Sequence, residues 1–202
     1  MIISVEDIPG YREAIAEEAR ERERNFIGFS HDICGVKVRS MTVLDFIVLD
    51  SMESAFIKRT IPTLGDLTKF LWYLSIDFDS LPAGLRRSWA AFRFGRRVRR
   101  LDVVDAAVRG FAYVDAMFAD MPGGKDGGEP FASWLAVWTD LIRSEYKCSR
   151  DDVLSMTLPE FFQSVRCIHK RANPKTAFAN RKADAICDGF MRGLNDGSIL
   201  LQ

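Results

Sequence analysis

Apolar residues recur along most of this chain at the three- and four-residue steps of an amphipathic helix, and the pattern divides it into segments. Over residues 10–24 the stripe is thin, with Tyr11, Ala14, Ile15 and Ala19 set among the charges of EEARERER, which predicts a peripheral helical arm. The period changes in residues 26–40. There β-branched Ile33, Val36 and Val38 surround Gly35, and His31-Asp32 adds turn chemistry, so one short β-hairpin is expected. Residues 43–57 are apolar on every side of a helical wheel, with Phe46, Leu49 and Phe56 opposite Leu44, Ile47 and Val48, and predict one helix in the middle of a bundle.

In the next helix Leu64, Leu67, Phe70, Leu71 and Leu74 fall on one face, whereas Trp72 and Tyr73 flank Lys69 on the other. Either the C-terminal helices cover those two rings or the rings form a docking surface. Further helices are predicted from Leu101, Val104, Ala107, Val108, Phe111, Val114 and Phe118, and from Trp134, Leu135, Trp138, Leu141 and Ile142. A last helix, over roughly residues 175–195, is expected to bury Phe178, Ile186, Phe190 and Leu194 and to end at Asn195-Asp196-Gly197.

Helix starts are marked by a hydroxyl residue followed three positions later by a carboxylate, the capping box that satisfies unpaired N–H groups. The spacing occurs at Ser4/Asp7, Thr42/Asp45, Thr63/Asp66, Ser149/Asp152 and Thr157/Glu160. Together these signals predict a mainly α protein, a compact helical bundle with at most one short β-hairpin near residues 26–40. Residues 122–130, PGGKDGGEP, cannot continue a helix and read as a flexible Gly/Pro linker. The expected organisation is therefore a charged helical arm (1–25), a helical core with the hairpin (26–121), the linker (122–130), and C-terminal helices packing on the core (131–202).

A chain of 202 residues with 48% hydrophobic content can build a sizeable core unaided by disulfides or metals. Its 28 basic and 28 acidic side chains balance, so no global charge points to nucleic acid or an anionic membrane. Four widely spaced cysteines fit reduced thiols, no apolar run approaches the roughly 20 residues of a membrane span, and the acidic N-terminus lacks a signal-peptide core. A cytoplasmic location is expected.

Catalytic chemistry finds few candidates. A Cys₂His₂ site can be written from His31, Cys34, Cys167 and His169, but neither pair has finger spacing, and Cys167 and His169 fall on different faces of one helix. PGGKDGG lacks the strand-to-helix context and the GxxxxGK[ST] pattern of a phosphate loop, and no GxSxG, HExxH or dinucleotide fingerprint occurs. No catalytic residue, metal or cofactor is assigned, and the expectation is a non-enzyme. The strongest local charge is AGLRRSWAAFRFGRRVRR, with seven arginines and no acid. As a helix it places Arg86, Arg93, Arg96, Arg97 and Arg100 in one stripe with Trp89 inside it. Such a stripe suits an acidic protein partner, the EEARERER charges of the same chain or, less well in a neutral protein, nucleic acid.

Three stretches carry a family resemblance. ICGVKVRSMTVLDFIVLDSMESAFI resembles the short strand and first buried helix of small tail proteins from long-tailed bacteriophages. PTLGDLTKFLWYLSIDF is similar to the segment that follows there, and SRDDVLSMTLPEFFQSVRCIHKR to their C-terminal pair, a D-D-V-L-x-M turn feeding a P-x-x-x-F-Q-x-x-R helix. The family is that of phage tail assembly chaperones. The resemblance implies a non-catalytic helical protein of the host cytoplasm that binds the tape measure protein and passes it to tail tube protein as the tube polymerises. The arginine-rich segment and charged arm depart from a minimal chaperone, which leaves open a structural tail or connector component, or a regulator that binds nucleic acid through Arg86–Arg100. Self-association is also open. Candidate partner contacts are the aromatic residues Phe70, Trp72, Tyr73, Trp134, Trp138, Phe161 and Phe162, and the arginine stripe.

Overall fold

The structure, a computed structural model, describes residues 5–28, 30–75, 84–122, 133–176, 178 and 180–196. It is mainly helical. Helix α1 (Tyr11–Ile27) leads to a hairpin of β1 (His31–Ile33) and β2 (Val36–Val38), followed by α2 (Val43–Ser51), α3 (Ala55–Lys58), α4 (Leu64–Leu74), α5 (Leu85–Val98) and α6 (Val103–Met117). Beyond the Gly/Pro segment come α7 (Trp134–Tyr146), α8 (Arg150–Ser155), α9 (Leu158–Ala172) and α10 (Arg181–Asn195). Most of the expected linker, from residue 123 on, lies outside the described residues.

The hairpin turns on Cys34 and Gly35, both with positive φ (51° and 81°), the backbone that a tight antiparallel turn requires. Asp32 Oδ1 accepts from the Gly35 N–H at 2.7 Å and holds that turn. Ile33, Val36 and Val38 point inward and are buried, while Asp32 and Lys37 face out. Two further backbone links join distant parts of the chain. The Arg39 N–H donates to Leu74 O at 3.0 Å and Val38 bridges Ser75, so β2 is fastened to the end of α4. Val43 N donates to Met156 O at 2.9 Å and Leu158 N to Met41 O at 2.8 Å, around a Thr42/Thr157 bridge that sets the starts of α2 and α9 side by side.

The capping boxes form at Thr42/Asp45, Thr63/Asp66 and Ser149/Asp152. Thr157 Oγ1 accepts from the Glu160 N–H at 3.3 Å. Ser4 of the remaining pair lies outside the described residues. Hydrogen bonds from Thr63 and Ser149 hold the Asp66 and Asp152 carboxyls below their ordinary range.

Three expectations need correction. The predicted helix over 43–57 is two helices, broken where Glu53 takes a left-handed φ of 53° and Ser54 N bonds back to Leu49 O. The break turns Phe56 inward to stack on Phe70, with centroids 4.2 Å apart. Burying such a ring contributes on the order of 1.5–3 kcal/mol, more than one strained residue costs at about 1–2 kcal/mol, so packing decides where the helix ends. Its expected all-round burial also fails at Leu44, which is exposed.

In α6 the buried face is Ala106, Gly110, Tyr113, Val114 and Met117, whereas Val104 and Val108 are exposed. Phe56 lies against Gly110, a position without a Cβ, and Tyr113 donates its hydroxyl to Arg39 O at 2.7 Å, which fixes that rotation of the helix. The last helix begins at Arg181 rather than near 175, capped by Asn180, whose side chain accepts from the Ala183 N–H at 3.1 Å. Its deeply buried side chain is Ala183, and Phe178, Ile186, Phe190 and Leu194 are half-buried.

The arm α1 packs on α9 and α10. Little of that contact is apolar: Ala14 is buried, but Ile15 and Ala19 are exposed. Charge supplies the rest. Asp120, just past α6 and fully buried, accepts from Arg22 Nε, Arg166 Nη1 and Gln163 Nε2, each at 2.8 Å. Glu18, also buried, pairs with Arg22 and accepts from the Lys182 N–H at 3.0 Å, and the Lys182 ammonium reaches Glu17 and Glu21.

Candidate functional site

Helix α5 carries the chemistry that the fold does not consume. Its interior contains Ala90, Ala91 and arginines, which favour a helix. Gly95, the weak point, faces Thr68 across ordinary contact distance. The inner face is Phe94 and Val98, both buried, with the Phe94 ring 5.1 Å from that of Trp72. Arg97 lies toward one edge, where its Nη2 donates to Gly35 O at 2.5 Å and ties the helix to the hairpin turn.

On the outer face Arg86, Arg93 and Arg96 are exposed, and Arg100 is exposed in the turn just past Val98, where the helix ends. Trp89 sits among them, 63% exposed, and stacks on Phe92, 56% exposed, with centroids 5.7 Å apart and planes at 24°. Phe92 was not singled out by the sequence reading, although it follows Trp89 by three residues, one helical neighbour away. The arm's paired glutamates go elsewhere: Glu6 to Arg12, Glu18 to Arg22, and Glu17 and Glu21 to Lys182.

The aromatic candidates divide by burial. Phe70, Phe161 and Phe162 are core, at most 1% exposed, and are corrected as partner contacts, because no partner reaches them without opening the fold. Trp134 and Trp138 are half-buried in one cluster with Phe161 and Phe162, and Phe46 and Phe118 complete it. Trp72 and Tyr73 are half-buried against their own chain. Phe94 of α5 lies against Trp72, and the Arg39 guanidinium lies 5.7 Å over the Tyr73 ring.

The hairpin carries two of the titratable groups considered for a metal site, Cys34 and His31. Cys34 Sγ donates to Asp105 Oδ2 at 3.2 Å, and partial burial together with that bond pushes the thiol up, away from a thiolate. His31 packs edge-on to Tyr113, and burial pushes its pKa down. Cys167 is exposed on α9, remote in sequence from the hairpin. A cleft of about 400 Å³ lies between Phe46, Ile57, Phe118 and Trp134, but the carboxylates that share its lining are paired, Asp50 with Lys58 at 2.9 Å and Asp115 with Arg59 at 2.5 Å. Such a cleft suits an apolar side chain better than proton transfer. Among the described residues no helix is long and apolar enough to cross a membrane.

No family model, curated protein or solved structure matches this chain.

Proposed function

We propose that this chain is a non-catalytic, helical protein-binding module that serves as a tail assembly chaperone of a long-tailed bacteriophage, holding the tape measure protein until tail tube subunits polymerise around it. The observation that carries this reading is how the three resembling stretches meet. The β2–α2 stretch bonds along its backbone to α4 through Arg39 and Leu74, and to the α8–α9 stretch through Met41, Val43, Met156 and Leu158. One resemblance, scattered over the sequence, thus falls on one contiguous unit. The segments that depart from it are α1 and α5, and α5 offers exposed rings flanked by exposed arginines that have no carboxylate partner among the described residues. A helix whose apolar face needs cover is the kind of partner such a surface serves.

Co-expression provides the test. A tape measure fragment from the same genome, insoluble when expressed alone, should become soluble and co-purify with this chain, and purified virions should lack the chain by mass spectrometry. Equal precipitation of the fragment with and without the chain would rule the chaperone reading out, and presence in virions would favour a structural tail component.

A further inference from the structure

Arg86, Trp89, Phe92, Arg93 and Arg96 share the outer face of α5 and Arg100 follows in the turn past its end, a row that spans roughly 20 Å at about the rise of an α-helix. Arg22, Arg59, Arg109 and Arg166 all have carboxylate partners. Arg86, Arg93, Arg96 and Arg100 have none among the described residues, although they hold the densest positive charge on the chain. Two large stacked rings in the middle of that charge remain in water, where covering them would be favourable.

We propose that this face docks a short, acidic, amphipathic helix of a partner protein, whose apolar side chains cover Trp89 and Phe92 and whose carboxylates pair with Arg86, Arg93, Arg96 and Arg100. The proposal rests on the reading of this chain as a protein-binding module, and adds where it binds and what chemistry it selects. Charge complementarity at limited length singles out this occupant. Just past Arg100 comes the exposed Asp102, so a polyanion longer than the row runs into like charge, whereas an acidic helix of matching length does not. The rings lean on each other and form one apolar plateau along the helix axis, not separate platforms for stacked bases. A second copy of the chain is a poor match, because the acidic groups of α1 alternate with arginines, and Glu17, Glu18 and Glu21 are already bound by Arg22 and Lys182.

The test uses the full chain and a labelled synthetic peptide of about four helical turns, leucines on one face and glutamates beside them, followed by fluorescence anisotropy. An oligothymidylate of equal charge is titrated in parallel. The expected result is micromolar peptide binding that weakens about tenfold on going from low to moderate salt. Trp89→Ala should weaken it by at least about tenfold, and the pair Arg93→Glu and Arg96→Glu by more. Thermal melts by circular dichroism should stay at the wild-type value in both variants, because these side chains are exposed.

Three results overturn the proposal: no peptide binding at low salt, unchanged binding in the variants, or displacement of the peptide by a tighter-binding oligothymidylate. A concentration-dependent dimer that Trp89→Ala abolishes would assign the face to a second copy instead. A synthetic probe also keeps the two readings separable, since loss of peptide binding leaves tape measure co-purification to stand or fall by itself.

Discussion

Gly110 carries a constraint that no side chain announces. A Cβ built there would lie 2.5 Å from Phe56 Cε1 and 3.1 Å from Cδ1, and the Phe56 ring cannot retreat because Phe70 is stacked against it at 4.2 Å. Alanine favours a helix interior over glycine by about 1 kcal/mol, but overpacking a dense core costs about 1–3 kcal/mol. Gly110→Ala is therefore expected to destabilise. Gly95→Ala, whose new methyl would meet Thr68 Cγ2 at 3.8 Å, should instead be neutral or stabilising. Urea denaturation of both variants checks the pair, and equal effects at the two positions would refute the packing argument. The residue scale is also where sequence reading succeeded at Thr42, Thr63 and Ser149, because a capping box is closed by residues three apart. It failed at Glu53, whose left-handed backbone is imposed by Phe56 reaching a partner far along the chain.

At the scale of elements, α1 shows how a helix with almost no apolar stripe is still held in place. Its charges, which on the sequence describe a solvated arm, converge on Asp120 and Lys182. Replacing one member of a buried ion network leaves the others desolvated and unpaired, at a cost of roughly 3–5 kcal/mol. Asp120→Asn should accordingly destabilise by about that amount and free α1 first, visible as earlier trypsin cleavage within EEARERER than at other sites. Wild-type cleavage kinetics in that variant would show that the arm is held by packing alone. Helix α6 teaches the converse lesson. Its sequence offers two apolar stripes, and periodicity by itself does not say which one is inside. The choice falls to Gly110 and Tyr113, whose partners Phe56 and Arg39 lie on other elements.

Across the whole molecule, burial is uneven. Helices α4 and α9 supply Leu67, Phe70, Leu71, Leu74, Leu158, Phe161, Phe162 and Val165 to one continuous core, whereas among the described side chains of α10 the deeply buried one is Ala183. Amide hydrogen exchange should be slowest in α4 and the first half of α9 and much faster in α10, and comparable protection in all three would contradict this distribution. The fold class was legible because helical periodicity and caps are local properties. The arginine stripe was legible as a pattern too, but its exposure was not, since that depends on Phe94 and Val98 turning the opposite side of α5 onto Trp72 and α4.

The bridge between Thr42 and Thr157 also orders events in time. The Val43 N–H and the Met41 carbonyl bond to Met156 and Leu158, so during synthesis these groups wait for their partners until the ribosome has released α8 and the start of α9. Premature termination before that point would leave the Val43 N–H and the Met41 carbonyl without these bonds and the inward faces of α2 without the α9 side chains that share their core.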